Sequence, residues 1–170
     1  MKLRKALLLI IIGAILLGVL AYYWGPTLQL HYALKNYTKM ITTGIPEDLR
    51  LIIYYIDPHI LTRYPLSIDG LVGLDDVDII EVDAQKLADH WELLRKLDAA
   101  ALQPVEEKTY LDVRLYYVFE TGDGNKLLEV AISEINGNVF VNGVEVEHDP
   151  VFYEIIAPFL SEEDHTVLGF

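Results

Sequence analysis

The sequence predicts an α+β fold, in which an N-terminal transmembrane helix precedes a small antiparallel β-meander with helices packed on one face. Three observations predict it: an uncharged apolar segment near the N-terminus, alternation of apolar with more polar residues over most of 111–120, and a series of Gly-containing turns after it. Antiparallel hairpins dominate this pattern and helices are few. We therefore expect one α+β domain, over residues 45–160.

Residues 6–24 are predicted to form a transmembrane signal-anchor helix. They carry no charge, and their length is close to that needed to cross a hydrocarbon core of about 30 Å. The basic stub 1–5 is expected in the cytoplasm by the positive-inside rule. Val19-Leu20-Ala21 leaves a cleavable signal peptide open as the alternative. The residues expected to anchor the helix are Leu7, Ile10, Ile12, Leu16, Leu20 and Trp24.

The part of the chain after the anchor is strongly acidic. It holds ten Lys and Arg residues against all 26 Asp and Glu residues of the protein. Nucleic-acid binding requires clustered cations, so this charge argues against a nucleic-acid partner and against docking flat on anionic lipid. The chain contains no cysteine, which excludes disulfides and thiolate metal sites. We expect an acidic domain on the extracytoplasmic side of the membrane.

The first elements after the anchor are predicted from helical spacing and strand propensity. Residues 25–44 form a juxtamembrane helix or linker, because apolar residues recur there at helical spacing after Pro26. We expect its apolar stripe to pack on the domain, with a partner helix as the alternative. Residues 49–56 are rich in β-branched and aromatic side chains and predict a buried strand, although the preceding Pro46 would also suit a helix start. Residues 58–76 are irregular, with a short helix capped by Ser67.

Later elements follow from alternation, turns and caps. Strands are predicted at 77–82, 111–120, 126–134, 139–141 and 144–147, with tight turns at Asn136-Gly137 and Asn142-Gly143. In the strand 111–120, Arg114 and Tyr116 belong to the face expected to be exposed. Asp83 is predicted to cap a helix that runs to Leu97, and Pro150 to begin a last helix. Residues 161–170 are predicted to be a loose C-terminal tail.

The motifs of the common enzyme classes are missing from the sequence. None of its serines lies in a G-x-S-x-G elbow, and neither a P-loop nor a dinucleotide-binding fingerprint occurs. The best local cluster is Glu145, Glu147, His148 and Asp149, at a predicted strand-to-helix corner, where carboxylate and imidazole groups could serve as a general base or as metal ligands. Glu145, Glu147 and His148 are taken from it as the catalytic candidates. The favoured interpretation includes neither a metal site nor a cofactor.

Tyrosine is unusually frequent, and it includes the adjacent pairs Tyr54-Tyr55 and Tyr116-Tyr117. Neighbouring strand residues point to opposite faces, so one tyrosine of each pair should be exposed. We take Tyr54 and Tyr116 as candidates for a binding surface, since exposed tyrosines on a sheet favour recognition over catalysis.

Together these observations predict a single-pass membrane protein whose acidic extracytoplasmic domain is a non-catalytic interaction or envelope module. The expected partners are the membrane, through one span, and a protein of the membrane or envelope. An envelope hydrolase or metal-dependent enzyme that uses Glu145, Glu147 and His148 is the alternative. The biochemical function, the ligand and the oligomeric state are left open by the sequence.

Overall fold

The computed structural model describes residues 2–99, 102–105, 109–133 and 137–168, without the side chains of residues 2–9, 23, 26, 98 and 99. The strands are β1 (Arg50–Tyr55), β2 (Asp78–Asp83), β3 (Leu115–Glu120), β4 (Lys126–Ser133), β5 (Asn138–Val141) and β6 (Val144–Val146). The helices are α1 (Lys2–Thr43), α2 (Ile68–Val72), α3 (Ala84–Asp89), α4 (Trp91–Leu94), α5 (Lys96–Ala99), α6 (Val151–Glu154) and α7 (Glu162–Leu168), with a 3₁₀ turn at Ala157–Phe159.

Among the described residues, six strands form one open antiparallel sheet in the order β2-β1-β3-β4-β5-β6. This confirms the α+β class, and each strand overlaps a segment for which the sequence predicts a strand. The tight turn between β5 and β6 shows why a two-residue hairpin turn can be predicted from the sequence. Asn142 and Gly143 have φ angles of +48° and +78°, the left-handed values that a tight two-residue hairpin requires and that Asn-Gly adopts readily.

One face of the sheet carries the main hydrophobic core. Alternate residues of β3, such as Tyr117 and Phe119, are fully buried there. The second half of α1 packs on this face with Leu30, Tyr37 and Ile41, all 2% exposed or less. The expectation that the apolar stripe of this segment packs on the domain is confirmed.

The opposite face is also covered, which the sequence analysis did not anticipate. Leu71 of α2 belongs to a second buried cluster there, together with Tyr116 and Val118, so the prediction that the helices lie on one face is wrong for α2. Arg114 and Tyr116, predicted to be exposed, are 3% and 2% exposed. Alternation separates the two faces of a strand, but it does not show whether a distant segment folds over the second face.

Helix α1 is continuous in its backbone from Lys2 to Thr43 but bent. Its arms Ile10–Tyr22 and Thr27–Thr43 meet at 50°. The bend falls where the sequence has Gly25-Pro26, and a proline inside a helix removes one backbone hydrogen bond and clashes with the preceding turn. The segment 25–44, predicted to be a juxtamembrane helix or linker, therefore belongs up to Thr43 to the same bent helix as the predicted anchor.

The predicted helix from Asp83 to Leu97 consists of the three short helices α3, α4 and α5. Its N-terminus is as predicted, because the Asp83 carboxylate accepts a hydrogen bond from Lys86 N over 2.9 Å. Leu87 and Leu94 of this segment are buried, whereas Trp91 is only partly buried. The helix predicted to begin at Pro150 is α6, which starts at Val151, spans four residues and is followed by a 3₁₀ turn.

The prediction of a loose tail over 161–170 is wrong for residues 162–168, which form α7. Ser161 and Asp164 cap it reciprocally, with Ser161 N donating to Asp164 Oδ2 and Asp164 N donating to Ser161 Oγ. The phenolic group of Tyr55 also donates to Asp164, and Leu168 is 6% exposed. The capping box stabilises the helix itself, whereas the hydrogen bond from Tyr55 and the buried Leu168 hold it on the domain. The rest of the predicted tail, 169–170, lies outside the described residues.

Candidate functional site

The predicted anchor residues lie on the free arm of α1. Ile10, Ile12, Leu16, Leu20 and Trp24 are between 45% and 68% exposed, and the side chain of Leu7 lies outside the described residues. Over the described part of the chain, no single helix has the length and apolar character needed to cross a bilayer. Only the two arms of α1 taken together, as a bent pair, have that length and apolar character.

Tyr54 and Tyr116 are brought together, as neighbours in the β1–β3 register. Their rings stack with centroids 5.7 Å apart and an interplanar angle of 27°. Tyr54 is partly exposed, but Tyr116 is buried beneath it. The pair is therefore part of the packing of the second face, and only Tyr54 offers surface to a partner.

Charged groups surround the hydroxyl of Tyr116. It donates a hydrogen bond to Glu129 Oε2 over 2.7 Å, and Lys126 Nζ lies 3.2 Å from the same hydroxyl. Burial, and then the bond to Glu129, raise the pKa of Tyr116 well above its ordinary value. Burial and the charge of Glu120 also raise the pKa of Tyr54. Both phenols are thus held in the neutral form, which suits packing and hydrogen bonding rather than proton transfer at neutral pH.

Glu145, the first of the catalytic candidates, is 5% exposed. Its carboxylate accepts hydrogen bonds from Thr109 N and Thr109 Oγ1, each over 2.8 Å. Asn138 donates in turn to the Thr109 hydroxyl over 2.6 Å. Both carboxylate oxygens therefore hold the segment at Thr109 against β6. Because each oxygen already accepts a hydrogen bond from Thr109, the carboxylate has little room left to bind a substrate.

Glu147 and His148 are both exposed. His148 Nδ1 lies 3.1 Å from the carbonyl oxygen of Gly137, so the ring is oriented by a backbone acceptor. Glu145 and His148 do line a shared open cleft of about 350 Å³. Across the described residues, however, no group of three or more His, Asp or Glu side chains is placed to hold a metal ion. The corner does not assemble the constellation that the metal-dependent hypothesis needs.

The tyrosine pair and the corner share a face of the sheet but do not form one concavity. The cross-strand row runs from Tyr54 through Tyr116, Ala131 and Phe140 to Glu145. Three strand spacings separate Tyr116 from Glu145, or about 14 Å. The two sets of candidates are therefore separate features.

A buried cation organises a loop that the sequence analysis treated as merely irregular. Arg114 donates to the Ile60 carbonyl over 3.0 Å and to Thr62 Oγ1 over 3.1 Å, and it pairs with Asp112 over 3.1 Å. These bonds fix residues 60–62, whose tip carries Leu61 at 95% exposure. The sequence does show an arginine within a strand pattern. Whether that arginine is exposed or buried depends on whether another segment covers the second face of the sheet.

The edge strand β2 is a second feature that the sequence did not single out. Within the described chain it pairs with β1 alone, and Ile79 on it is 51% exposed. A cleft of about 270 Å³ runs beside it and is lined by Ile80, Glu81, Val82, Lys86, Asp89, His90, Pro158 and Phe159. Asp75 and Asp76 precede this strand, and Asp78 is its first residue; all three are exposed. The cleft needs the 3₁₀ turn at Ala157–Phe159, which the chain brings to β2 from far away in sequence.

The other edge of the sheet is covered by a neighbouring segment. Val105 N donates to the Glu145 carbonyl over 3.1 Å, and Glu147 N donates to the Gln103 carbonyl over 2.9 Å. An isolated bridge joins Pro104 to Val146 between them. The two edges of the sheet thus differ in whether a strand-like segment lies against them.

The chain matches no protein-family model, and comparison with curated proteins and with solved structures likewise finds no match.

Proposed function

We propose that this chain is a membrane-tethered, non-catalytic interaction module, in which the free arm of α1 inserts in a bilayer and the other arm is built into an extracytoplasmic domain. The observation that carries the proposal is the division within α1. Residues 10–20 expose nearly every large apolar side chain, whereas Leu30, Tyr37 and Ile41 of the same helix are buried in the core. Large contiguous apolar surface marks a membrane or protein contact.

The packed arm of α1 makes the tether part of the folded domain. Tyr37 donates a buried hydrogen bond to the Leu94 carbonyl over 3.0 Å, and its ring meets Phe119 at a centroid distance of 5.2 Å. Gln29 Nε2 also donates to the Asn142 carbonyl over 2.6 Å. Contacts at two places along the packed arm thus fix this arm on the domain.

The recognition role rests on two surfaces of the domain. The loop tip at Leu61 is held by the buried Arg114, and β2 is an open edge beside a cleft. A non-catalytic role is supported by the hydrogen bonds of Glu145, since both of its oxygens are engaged by Thr109. Rigid display of exposed apolar groups is characteristic of binding surfaces.

Membrane extraction tests the tether. We expect the full chain to remain in the membrane pellet after an alkaline carbonate wash. The double variant Ile12→Arg/Leu16→Arg should be lost from the pellet, because each central charge costs about 3 kcal/mol on insertion. Leu28→Arg is the matched control, since Leu28 is 52% exposed on the same helix but lies outside 6–24. Release of the unaltered chain by the wash would refute the tether.

The absence of native cysteine makes the orientation measurable with single labels. A membrane-impermeant maleimide applied to intact cells should label Leu61→Cys at once, and Lys2→Cys only after permeabilisation. The reverse pattern would refute an extracytoplasmic domain. The intact mass of the membrane-bound chain decides between an anchor and cleavage after Ala21.

A further inference from the structure

We propose that β2 is a docking edge, which receives an extended basic and apolar segment of a partner protein as an additional strand. This inference deepens the interaction module proposed above and rests on it. It names both the surface and the chemistry of the partner.

The open edge supplies the backbone hydrogen bonds. Among the described residues β2 pairs only with β1, whereas the 103–105 segment lies along β6 at the other end of the sheet. An open edge strand presents unpaired backbone N–H and C=O groups, which is the requirement for adding a strand from another chain. Six residues of β2 are available, or about 20 Å of edge.

The side chains of β2 define two apolar contacts for such a segment. On one face, the cleft beside Ile80 is lined by Pro158 and Phe159. On the other face, Ile79 is 51% exposed and lies opposite Tyr54 in the β1–β2 register. Because successive residues of a strand point to opposite faces, an added strand with apolar side chains beside both Ile79 and Ile80 would cover the two contacts at once.

The charge of this edge specifies the rest of the partner. Asp78, Glu81 and Asp83 on β2 are exposed, Asp75 and Asp76 precede them, and Asp89 lines the cleft. Lys86 is the one cation among the described residues that line the cleft. A basic segment would place Lys or Arg opposite these carboxylates. A second copy of this chain would set its own β2 carboxylates against them, an arrangement that destabilises a strand pair.

Peptide binding to the purified full chain in non-ionic detergent tests the inference. The first probe, the Val-Lys peptide, is an end-capped octapeptide with two adjacent Val residues at its centre and Lys at the other positions, so that one Val points to each face of the added strand. The second, the Val-Glu peptide, has Glu in place of each Lys, and the third is the Val-Lys peptide N-methylated at alternate residues. We expect saturable binding of the Val-Lys peptide, and at least about tenfold weaker binding of both other peptides, since one loses the charge match and the other the backbone donors. Absence of saturable binding, or equal binding of the N-methylated peptide, would overturn the docking edge.

Charge reversal localises the binding. Glu81→Lys should weaken binding of the Val-Lys peptide about tenfold and strengthen binding of the Val-Glu peptide, because the sign of the charge beside the added strand is inverted. Glu147→Lys is the control for the change of charge: Glu147 is also an exposed glutamate, but it directly follows β6, at the covered edge. Equal loss in both variants would mean attraction to net negative charge alone and would overturn the inference.

Sedimentation of the full chain completes the test. We expect the full chain to sediment as a monomer in the absence of peptide. A dimer that Glu81→Lys disrupts would mean that a second copy of this chain occupies β2, and it would overturn the proposal. The membrane wash and cysteine labelling report on the tether independently of these peptides. Failure of the docking edge is therefore distinguishable from failure of the membrane-tethered role.

Discussion

Tyr37 of α1 donates a buried hydrogen bond to the backbone carbonyl of Leu94 in α4, joining residues 57 apart in sequence across 3.0 Å. The bond connects the helix that carries the predicted anchor to the helices on the main face of the sheet. Tyr37 is fully buried, so the bond forms away from solvent. The packed arm of α1 is consequently a structural element of the domain core.

Replacement of Tyr37 should measure this connection. We expect Tyr37→Phe to lower the free energy of unfolding by about 1–2 kcal/mol, because the Leu94 carbonyl loses its donor, and Tyr37→Ala to lower it by about 3–5 kcal/mol through the added cavity. Denaturant unfolding of the full chain in detergent is the measurement. Tyr32→Phe is the control, since Tyr32 is 62% exposed on the same helix. Equal effects of the two Phe variants would contradict the role of the bond.

The loop held by Arg114 should open when its cation is removed. Arg114→Met is expected to destabilise the domain by about 3 kcal/mol, because Asp112 is left in a largely buried position without its partner. Residues 60–62 also lose two hydrogen bonds. Trypsin cleavage after the exposed Arg63 should accelerate, as followed by fragment mass. Arg95→Met, which alters an exposed arginine over Trp91, should leave that cleavage rate unchanged.

Acid should weaken the attachment of α7. Burial raises the pKa of Asp164, but hydrogen bonds from Tyr55 and from Ser161 N outweigh it, so that the pKa lies below its ordinary value. A carboxyl group with a lowered folded-state pKa stabilises the fold fully above its unfolded pKa of about 3.9, and this contribution is lost as the pH falls through the folded-state pKa.

The measurement for Asp164 is the free energy of unfolding as a function of pH. Tyr55→Phe should cost about 1–2 kcal/mol at neutral pH, and the difference from the unaltered chain should shrink below about pH 4. A pH-independent difference would show that the effect comes from packing of the ring. Tyr64→Phe serves as a control, because Tyr64 is 68% exposed.

Alkali should unfold the domain through its buried phenols. Burial raises the pKa of Tyr117 well above its ordinary value, and burial together with Glu129 raises that of Tyr116. Such groups stabilise the fold fully below the unfolded pKa of about 10, and that stability is lost as the pH rises towards the folded-state pKa. We expect a cooperative rise in tyrosinate absorbance that coincides with the loss of circular dichroism. In Tyr117→Phe, the cooperative rise in tyrosinate absorbance should be smaller by the contribution of one phenol. A gradual rise that is separate from unfolding would contradict the prediction.

Much of the fold could be predicted because its signals are local. Alternation over 111–120 and the Asn142-Gly143 turn depend on strand geometry and on left-handed φ angles, which neighbouring residues determine. The apolar spacing of Leu30, Tyr37 and Ile41 likewise identified a packed helix face. The tether and its orientation remain predictions from the same kind of local pattern.

The candidate site was harder to predict because it depends on which distant segments meet. Glu145 had the residue type of a catalytic base, but its role depends on Thr109, which approaches from another part of the chain. The cleft at β2 requires Phe159 beside Ile80. Nothing within either local sequence specifies these approaches.

The sequence by itself determined the apolar N-terminal segment, the acidic composition, the strands and the tight turns, since each follows from residue type and spacing along the chain. Tertiary structure alone decided that Tyr116 and Arg114 are buried and that α7 docks through Tyr55 and Asp164. It also decided that, among the residues that the structure describes, β2 pairs on one side only while β6 is covered. The physical reason is that burial and edge pairing belong to contacts between segments remote in sequence, whereas periodicity records only which residues share a face.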